Sequence, residues 1–453
     1  MSGLLSVEQL RADVASGAVD TVIVAITDMQ GRVVGKRLHA QFFLDDALQN
    51  ATEGCNYLLA VDVDMNTVDG YAISSWSTGY GDLVMRPDLA TLRRVPWHEG
   101  TVMVTADVGL HDGSDVSVSP RQVLKRQTAR LAQAGLQAYV GTELEFIVFR
   151  DTYEQAWTSG YRGLTPANLY NVDYSILGTS RIEPLLRRIQ NSMVGAGMTV
   201  ESIKGECNLG QHEIAFRYDE AVTACDHHVI YKNGAKEIAA QEGYALTFMA
   251  KWDAREGNSC HVHCSLRGTD GSMVLADEDD HEQGLSATGR AYVAGQLDRI
   301  HELTLLLAPN INSYKRFVAG SFAPTALRWG RDNRTCAFRL VGHGPSLRLE
   351  NRIPGGDVNP YLATAAIIAA GFDGIERGLE LEPPFVGNAY TSDSVHVPKS
   401  LPQALQLWES SDFARRVFGD DVVEHYANMA RVEIAAFQSS VTDWERYRGF
   451  ERL

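Results

Sequence analysis

Two glutamates separated by a single leucine, Glu143 and Glu145, sit inside the run AYVGTELEFIVF at residues 138–149. The rest of the run is largely apolar, β-branched or aromatic, which is the composition of a buried strand. Side chains alternate across a strand, so both carboxylates emerge on the same face. Neighbouring carboxylates repel each other, and withdrawing either from water is costly unless something compensates it. A fold built on this strand must therefore bring positive charge, from protein or metal, to one of its faces.

Three further segments place polar residues on one face, one by a turn and two by the same spacing. In ESIKGECNLGQHEIAFRY, Glu206 and Glu213 stand symmetrically about Leu209-Gly210, so a hairpin turning there places them opposite each other on one face. EGNSCHVHCSL carries His261 and His263 two residues apart, and SLRLENRIPGGDVNPY carries Arg348, Glu350 and Arg352 at the same period. Cys260 and Cys264 alternate to the face opposite the histidines, so these four cannot close on one metal and the cysteines read as packing residues. Any one pair has a bland explanation as a solvated strand face. Jointly, Glu143, Glu145, Glu206, Glu213, His261 and Glu350 make an oxygen-rich ligand set with an imidazole, which suits Mg²⁺ or Mn²⁺. Arg316, Arg334, Arg339, Arg348 and Arg352 follow closely in sequence. Guanidinium forks bind carboxylate and phosphate, and carboxylates, divalent ions and arginines together are the equipment of phosphoryl transfer. No GxxxxGK[ST] occurs, so a P-loop is not the nucleotide site.

The chain has 57 acidic and 41 basic residues, a formal net charge of −16, which argues against nucleic acid or an anionic membrane as the main partner. No stretch approaches the ~18 consecutive apolar residues of a membrane span. MSGLLSVEQLRADVASG lacks a basic region followed by an apolar one, so no signal peptide is expected. Six cysteines with no CxxC pair point to a reducing cytoplasm. Strand-like runs fill the first hundred residues, with a hairpin at Gln30-Gly31. In SVSPRQVLKRQTARLAQAG, Ser119, Pro120 and Gly135 mark a helix start and stop, which places a domain boundary near residue 115. Beyond it strands alternate with helical runs, and the C-terminal portion reads as helices.

These segments, in this order, resemble the glutamine synthetase family across nearly the whole chain. TDMQGRVVGKR and GYGDLVMRPD resemble its N-terminal signature. TELEF, ECNLGQHE, SCHVHCSL, APNINSYKRF, RDNRT and LENRIPGGDVNPYLA resemble its catalytic motifs, and VTDWE its C-terminal helix end. The resemblance implies an α+β fold: a β-grasp domain at 1–115 and a catalytic domain at 116–453, with a curved antiparallel sheet flanked by helices. It implies ATP and Mg²⁺ (or Mn²⁺) as cofactors. Glu145, Glu206 and Glu213 would hold the metal nearer a glutamate substrate, and Glu143, His261 and Glu350 the metal nearer the nucleotide phosphates. Arg316 would bind the substrate α-carboxylate, with Gly257 near its amino group. Arg334 and Arg352 would be catalytic, serving the γ-phosphate and the activated carboxylate. Glu201, His263, Ser265 and Arg348, with Arg339, match positions on the nucleotide side. The glutamate γ-carboxylate would attack ATP, and an amine would displace phosphate from the γ-glutamyl phosphate. The family's common assembly, also implied, is a homododecamer of two hexameric rings in which one subunit's N-terminal domain completes its neighbour's site.

The departures bear on the amine. Phe322, in VAGSFAP, stands where ammonia-using members carry a flap glutamate, and their Asp-Gly-Ser-Ser element is missing from residues 50–81. Losing both carboxylates weakens a site for ammonium, while an aromatic ring offers apolar or cation–π surface to an alkyl amine. The expectation is therefore a ligase joining glutamate to a small organic amine, with ethanolamine or another monoamine first. A polyamine ligase and a true glutamine synthetase are the alternatives. A catalytically silent scaffold is the third, and the complete ligand set argues against it. Acidic residues in 50–81 would suit a polyamine; Phe322, Trp76 and Tyr57 would suit a smaller monoamine. Asp62, Asp64 and Asp69 are candidates for the base by location alone. Further departures are Glu256 in place of a usual Asn, the lack of any Lys from Val341 to Glu350, and the changed surroundings of Tyr390.

Overall fold

A computed structural model describes residues 3–453. The N-terminal sheet contains β1 (Thr21–Thr27), β2 (Val33–His39), β3 (Thr52–Cys55), β4 (Asp82–Pro87), β5 (Arg93–Arg94) and β6 (Thr101–Gly109). Their order is β2-β1-β6-β4-β3, with β5 also on β6, and only the central β1–β6 pair is parallel. The β1–β2 hairpin turns at Gln30-Gly31 as expected, with Gly31 at φ +79°, a left-handed value that glycine adopts without a Cβ clash. The helix Pro120–Gln133 follows, with Ser119 at its N-cap.

The second sheet has nine strands. They are β7 (Leu136–Phe149), β8 (Val200–Gly205), β9 (Gln211–Phe216), β10 (Asp219–Glu220), β11 (Ala245–Thr247), β12 (Cys260–Gly268), β13 (Trp329–Arg331), β14 (Phe338–Val341) and β15 (Arg348–Asn351). The order is β13-β14-β15-β12-β7-β9-β8, and β10 and β11 also pair with β7. All pairs are antiparallel except β13–β14. β7, the TELEF strand, lies at the centre.

One face of this sheet is dry. Cys260, Val262 and Cys264 are fully buried, and the Tyr292 hydroxyl, on the helix Ala287–Arg299, donates to the Cys264 sulfur at 3.1 Å. The cysteines are thus packing residues, and all six in the chain are unpaired. The helix Pro360–Arg377 is buried along most of its length, which its run of Ala, Ile and Leu permits. Its cap, Asn359, also donates to the Asp28 and Met29 carbonyls at 3.1 Å, pinning the β1–β2 turn to the start of this helix. The C-terminal helical runs form four helices, Leu401–Glu409, Asp412–Phe418, Asp420–Ser439 and Asp443–Gly449. No helix among the described residues is long and apolar enough to cross a membrane.

Candidate active site

Strand pairing brings the polar residues together on the other face. β12 runs antiparallel to β7 with His261 directly opposite Glu143, and to β15 with His263 opposite Glu350. β9 pairs with the other side of β7, placing Glu213 opposite Glu145. Two groups of ligand atoms result, Glu143–His261–Glu350 and Glu145–Glu206–Glu213, each with its atoms within 4.8 Å of one another. The two glutamates of TELEF thus belong to different groups, which answers the charge question raised by their spacing.

One expectation about register needs correcting. Glu206 is not opposite Glu213. Lys204 is opposite Glu213, and Glu206 N donates to the Gln211 carbonyl. The turn is centred one residue earlier than Leu209-Gly210, because the Asn208 carbonyl accepts from Gln211 N and the Asn208 side chain accepts from Leu209 N. Gly210, at φ +70°, completes it. Glu206 and Glu213 still share a face, as diagonal neighbours, but Lys204 now stands between them.

The two groups differ in how they are compensated. Burial alone would raise the carboxyl of Glu350, yet His261, Arg352 and His263 hold it below its ordinary value. Arg339 donates to it at 2.9 Å, and Arg352 forms a second ion pair. Burial of Glu143 is likewise outweighed, by His261 and His263, and its carboxyl lies far below the usual range. His261 Nδ1 is 3.3 Å from both glutamates and His263 Nε2 is 2.9 Å from Glu143. In the other group, burial and the Glu145 charge push Glu206 up to about 7, with Lys204 opposing. Burial and the charges of Glu143, Glu145 and Glu206 push Glu213 well up. Glu145 is oriented by neutral donors: Ser259 N at 2.8 Å and Gln211 Nε2 at 3.0 Å.

The donor sets fit divalent ions. Three converging carboxylates, two of them raised by burial and by mutual repulsion, suit a hard, oxygen-seeking cation. The mixed set with one imidazole suits the same class of ion.

Arg316 is buried and donates through Nη2 to the carbonyls of Arg352, Ile353 and Pro354, while its Nε has no partner. Burial lowers its pKa to about 10. Gly257 abuts it so closely that a Cβ there would lie 2.9 Å from Arg316 Cγ. A buried guanidinium held by carbonyls, with an N–H to spare, is suited to a carboxylate ligand. Beside the Glu143 group lies a cavity of about 290 Å³, whose lining includes Glu201, His263, Ser265 and Arg348, four of the residues expected on the nucleotide side. Arg339 does not line it and is instead committed to Glu350 and Asp332. Arg334 is exposed between β13 and β14. Phe322 is 55% exposed at φ +58°, and its carbonyl accepts from Arg352 Nη2 at 3.2 Å, tying this loop to the Glu350 group. Asp62 accepts from Asn66 N at 2.8 Å, and burial with the charges of Asp64 and Asp62 raises the Glu433 carboxyl. Both aspartates therefore neighbour the C-terminal helices of their own chain.

Sequence reasoning passed over Lys204, Gln211 and Ser259. The first two carried a signal, since they share the alternation of Glu206 and Glu213 respectively.

The family model for the glutamine synthetase catalytic domain matches residues 117–448. The chain is 65% identical to the gamma-glutamylethanolamide synthetase of Streptomyces coelicolor over 99% of its length and 96% of that protein's. It is 37% identical to a glutamate–isopropylamine ligase from a Pseudomonas species, over 95% of each chain. A solved GmaS complex with ADP superposes with a TM-score of 0.86 at 26% identity, covering 98% of this chain and 99% of that one. By its motifs, its fold and its closeness to these relatives, the chain belongs to the glutamine synthetase family.

Proposed function

We propose that the protein is an ATP-dependent ligase that joins the γ-carboxylate of L-glutamate to a small monoamine, with ethanolamine first. The reading is carried by the two adjoining ligand groups, Glu143–His261–Glu350 and Glu145–Glu206–Glu213, between a nucleotide-sized cavity and a buried arginine. The high identity to a gamma-glutamylethanolamide synthetase supports the choice of amine.

Family members use ATP with divalent metal; Mg²⁺, or Mn²⁺ in its place, would be held here by these two groups. When bound, such ions neutralise phosphate charge and polarise the oxygens that react. The chain's own residues do the rest. Arg316 holds the glutamate α-carboxylate beside Gly257, which leaves room for the amino group. Glu201, His263, Ser265 and Arg348 line the nucleotide cavity, so that the γ-phosphate points toward Glu143. Arg352, already bridging Glu350 and the Phe322 carbonyl, is placed to stabilise charge on the transferring phosphoryl group, and Arg334 to reach in from its exposed loop. The γ-carboxylate oxygen attacks the γ-phosphorus and ADP leaves. The amine nitrogen then attacks the acyl carbon, the C–O bond breaks with its electron pair leaving on phosphate, and the proton lost by the nitrogen is taken up by the departing phosphate. Positioning and fixed charge supply the catalysis.

The deciding experiment measures phosphate release from ATP with glutamate and Mg²⁺ across ammonium, ethanolamine, methylamine, putrescine and spermine, with products identified by mass. Turnover with ethanolamine well above ammonium is the expected outcome. Preference for ammonium would make this a glutamine synthetase and overturn the amine assignment. We also propose the family's double-ring homododecamer, for which light scattering should return twelve copies of a 49.8 kDa chain.

A further inference from the structure

Lys204 has no place in the mechanism above, yet it stands among three of its carboxylates. Strand register fixes it opposite Glu213, and its Nζ pairs with Glu206 Oε1. Its side chain is 23% exposed. Among the described residues, the Lys204–Glu206 pair is the one ion pair to any of Glu145, Glu206 and Glu213. Its Nζ also lies 4.8 Å from the centre of the Tyr174 ring. An ammonium on a flexible four-carbon stem is a mobile point charge. In its one position it meets both a carboxylate and an aromatic face, and the aromatic contact does not depend on the carboxylate.

We propose that Lys204 is a tethered counter-cation of the Glu145–Glu206–Glu213 group, which competes with a divalent ion for the same oxygens and so sets how tightly that ion is held. The inference rests on reading this group as a metal site. Two cations cannot share three carboxylates without repulsion, so the ammonium must give up Glu206 as a divalent ion enters, keeping only its contact with Tyr174. Binding at this group is thereby weakened relative to a site without the lysine. The Glu143 group makes no ion pair with Lys204 and should be unaffected by its replacement.

The test is Mn²⁺ binding to the full chain, followed by electron paramagnetic resonance of free Mn²⁺, which needs no turnover. Lys204→Met should tighten one class of site by at least about tenfold, the scale expected for removing a like charge at short range. Lys204→Arg, which keeps the charge, should stay within about twofold of the parent. Glu213→Gln identifies the class by abolishing it. Lys204→Gln repeats the measurement should the methionine variant fail to fold. Unchanged or weaker Mn²⁺ binding in the neutral variants, with Glu213→Gln still removing a class, would overturn the competition and leave Lys204 a structural residue. If Glu213→Gln removes no class, the metal reading of the group itself fails, and this inference falls with it.

Discussion

Glu350 and Glu213 are buried glutamates on the same face of one sheet, yet their carboxyls are driven in opposite directions. Glu350 is met by His261, Arg339 and Arg352 and is held below its ordinary value. Glu213 is met by Glu143, Glu145 and Glu206, with Lys204 the opposing charge, and is pushed well above it. Half of this surface is therefore balanced by the protein itself. The other half is left acidic and must take up charge, as protons or as a cation. A site built this way keeps one group rigid and makes the other responsive to what binds.

The strongest way to break this comparison is to make the same substitution on both sides. Glu350→Gln strands Arg352 and Arg339 against a neutral amide, and breaking a buried pair in this way costs about 3–5 kcal/mol. At a pH high enough to ionise Glu213, Glu213→Gln removes repulsion and should stabilise the chelator-treated protein by about 1 kcal/mol, although it loses metal binding. Urea denaturation in the presence of chelator measures both. Equal destabilisation by the two variants would refute the asymmetry.

A pH series sharpens it. Glu206, pushed up to about 7, is part-protonated near neutrality, and Glu213 is raised in the same direction; a metal can bind only after such protons leave. Affinity at that group should therefore fall as pH drops through about 7, by up to about tenfold per unit for each proton displaced. The lowered carboxyls of Glu143 and Glu350 are already ionised in that range and contribute no such slope. For stability the signs are opposite. Ionisation of Glu206 opposes folding above the ordinary carboxyl pKa, so its penalty diminishes as pH falls from about 7 toward about 4.3, and Glu213, raised in the same direction, adds to that trend. The stabilisation from Glu350 is present above about 4.3 and is lost only as pH falls toward its depressed value. Calorimetry in buffers of differing ionisation enthalpy counts the protons released. A pH-independent affinity between about 6 and about 8 would contradict the raised values.

Much of this surface was legible because a strand's alternation is rigid: once TELEF, CHVHC and RLENR are strands, the face of every polar residue follows. The register of β8 on β9 was not legible, since it depends on which residue opens the turn. The side chain and carbonyl of Asn208 decide that locally, and the one-residue difference is what brings Lys204 opposite Glu213. The surroundings of Arg316 were hidden for another reason. Its three carbonyl acceptors lie 36 to 38 residues away in the chain, and irregular backbone has no period to read. The nucleotide cavity draws Glu201, His263 and Arg348 from three strands, so only resemblance to a family could group them beforehand.

The smallest expected effect lies at the amine. Arg352 grips Phe322 through its backbone carbonyl, so replacing the ring leaves that tether in place and isolates what the side chain does. The ring is 55% exposed, and a cation–π contact at an exposed ring is worth about 0.5–1 kcal/mol. Phe322→Leu should therefore lower the ethanolamine-over-ammonium ratio of kcat/KM by about two- to fivefold, with ATP and glutamate KM values unchanged. Phe322→Glu should lower it further by restoring a carboxylate that favours the small cation. Positive φ makes this position strained for any side chain other than glycine, and it is equally strained for Phe, Leu and Glu, so the comparison among the three is free of that cost. A ratio unmoved by both substitutions would show that amine choice is set elsewhere, with residues 50–81 the next segment to test.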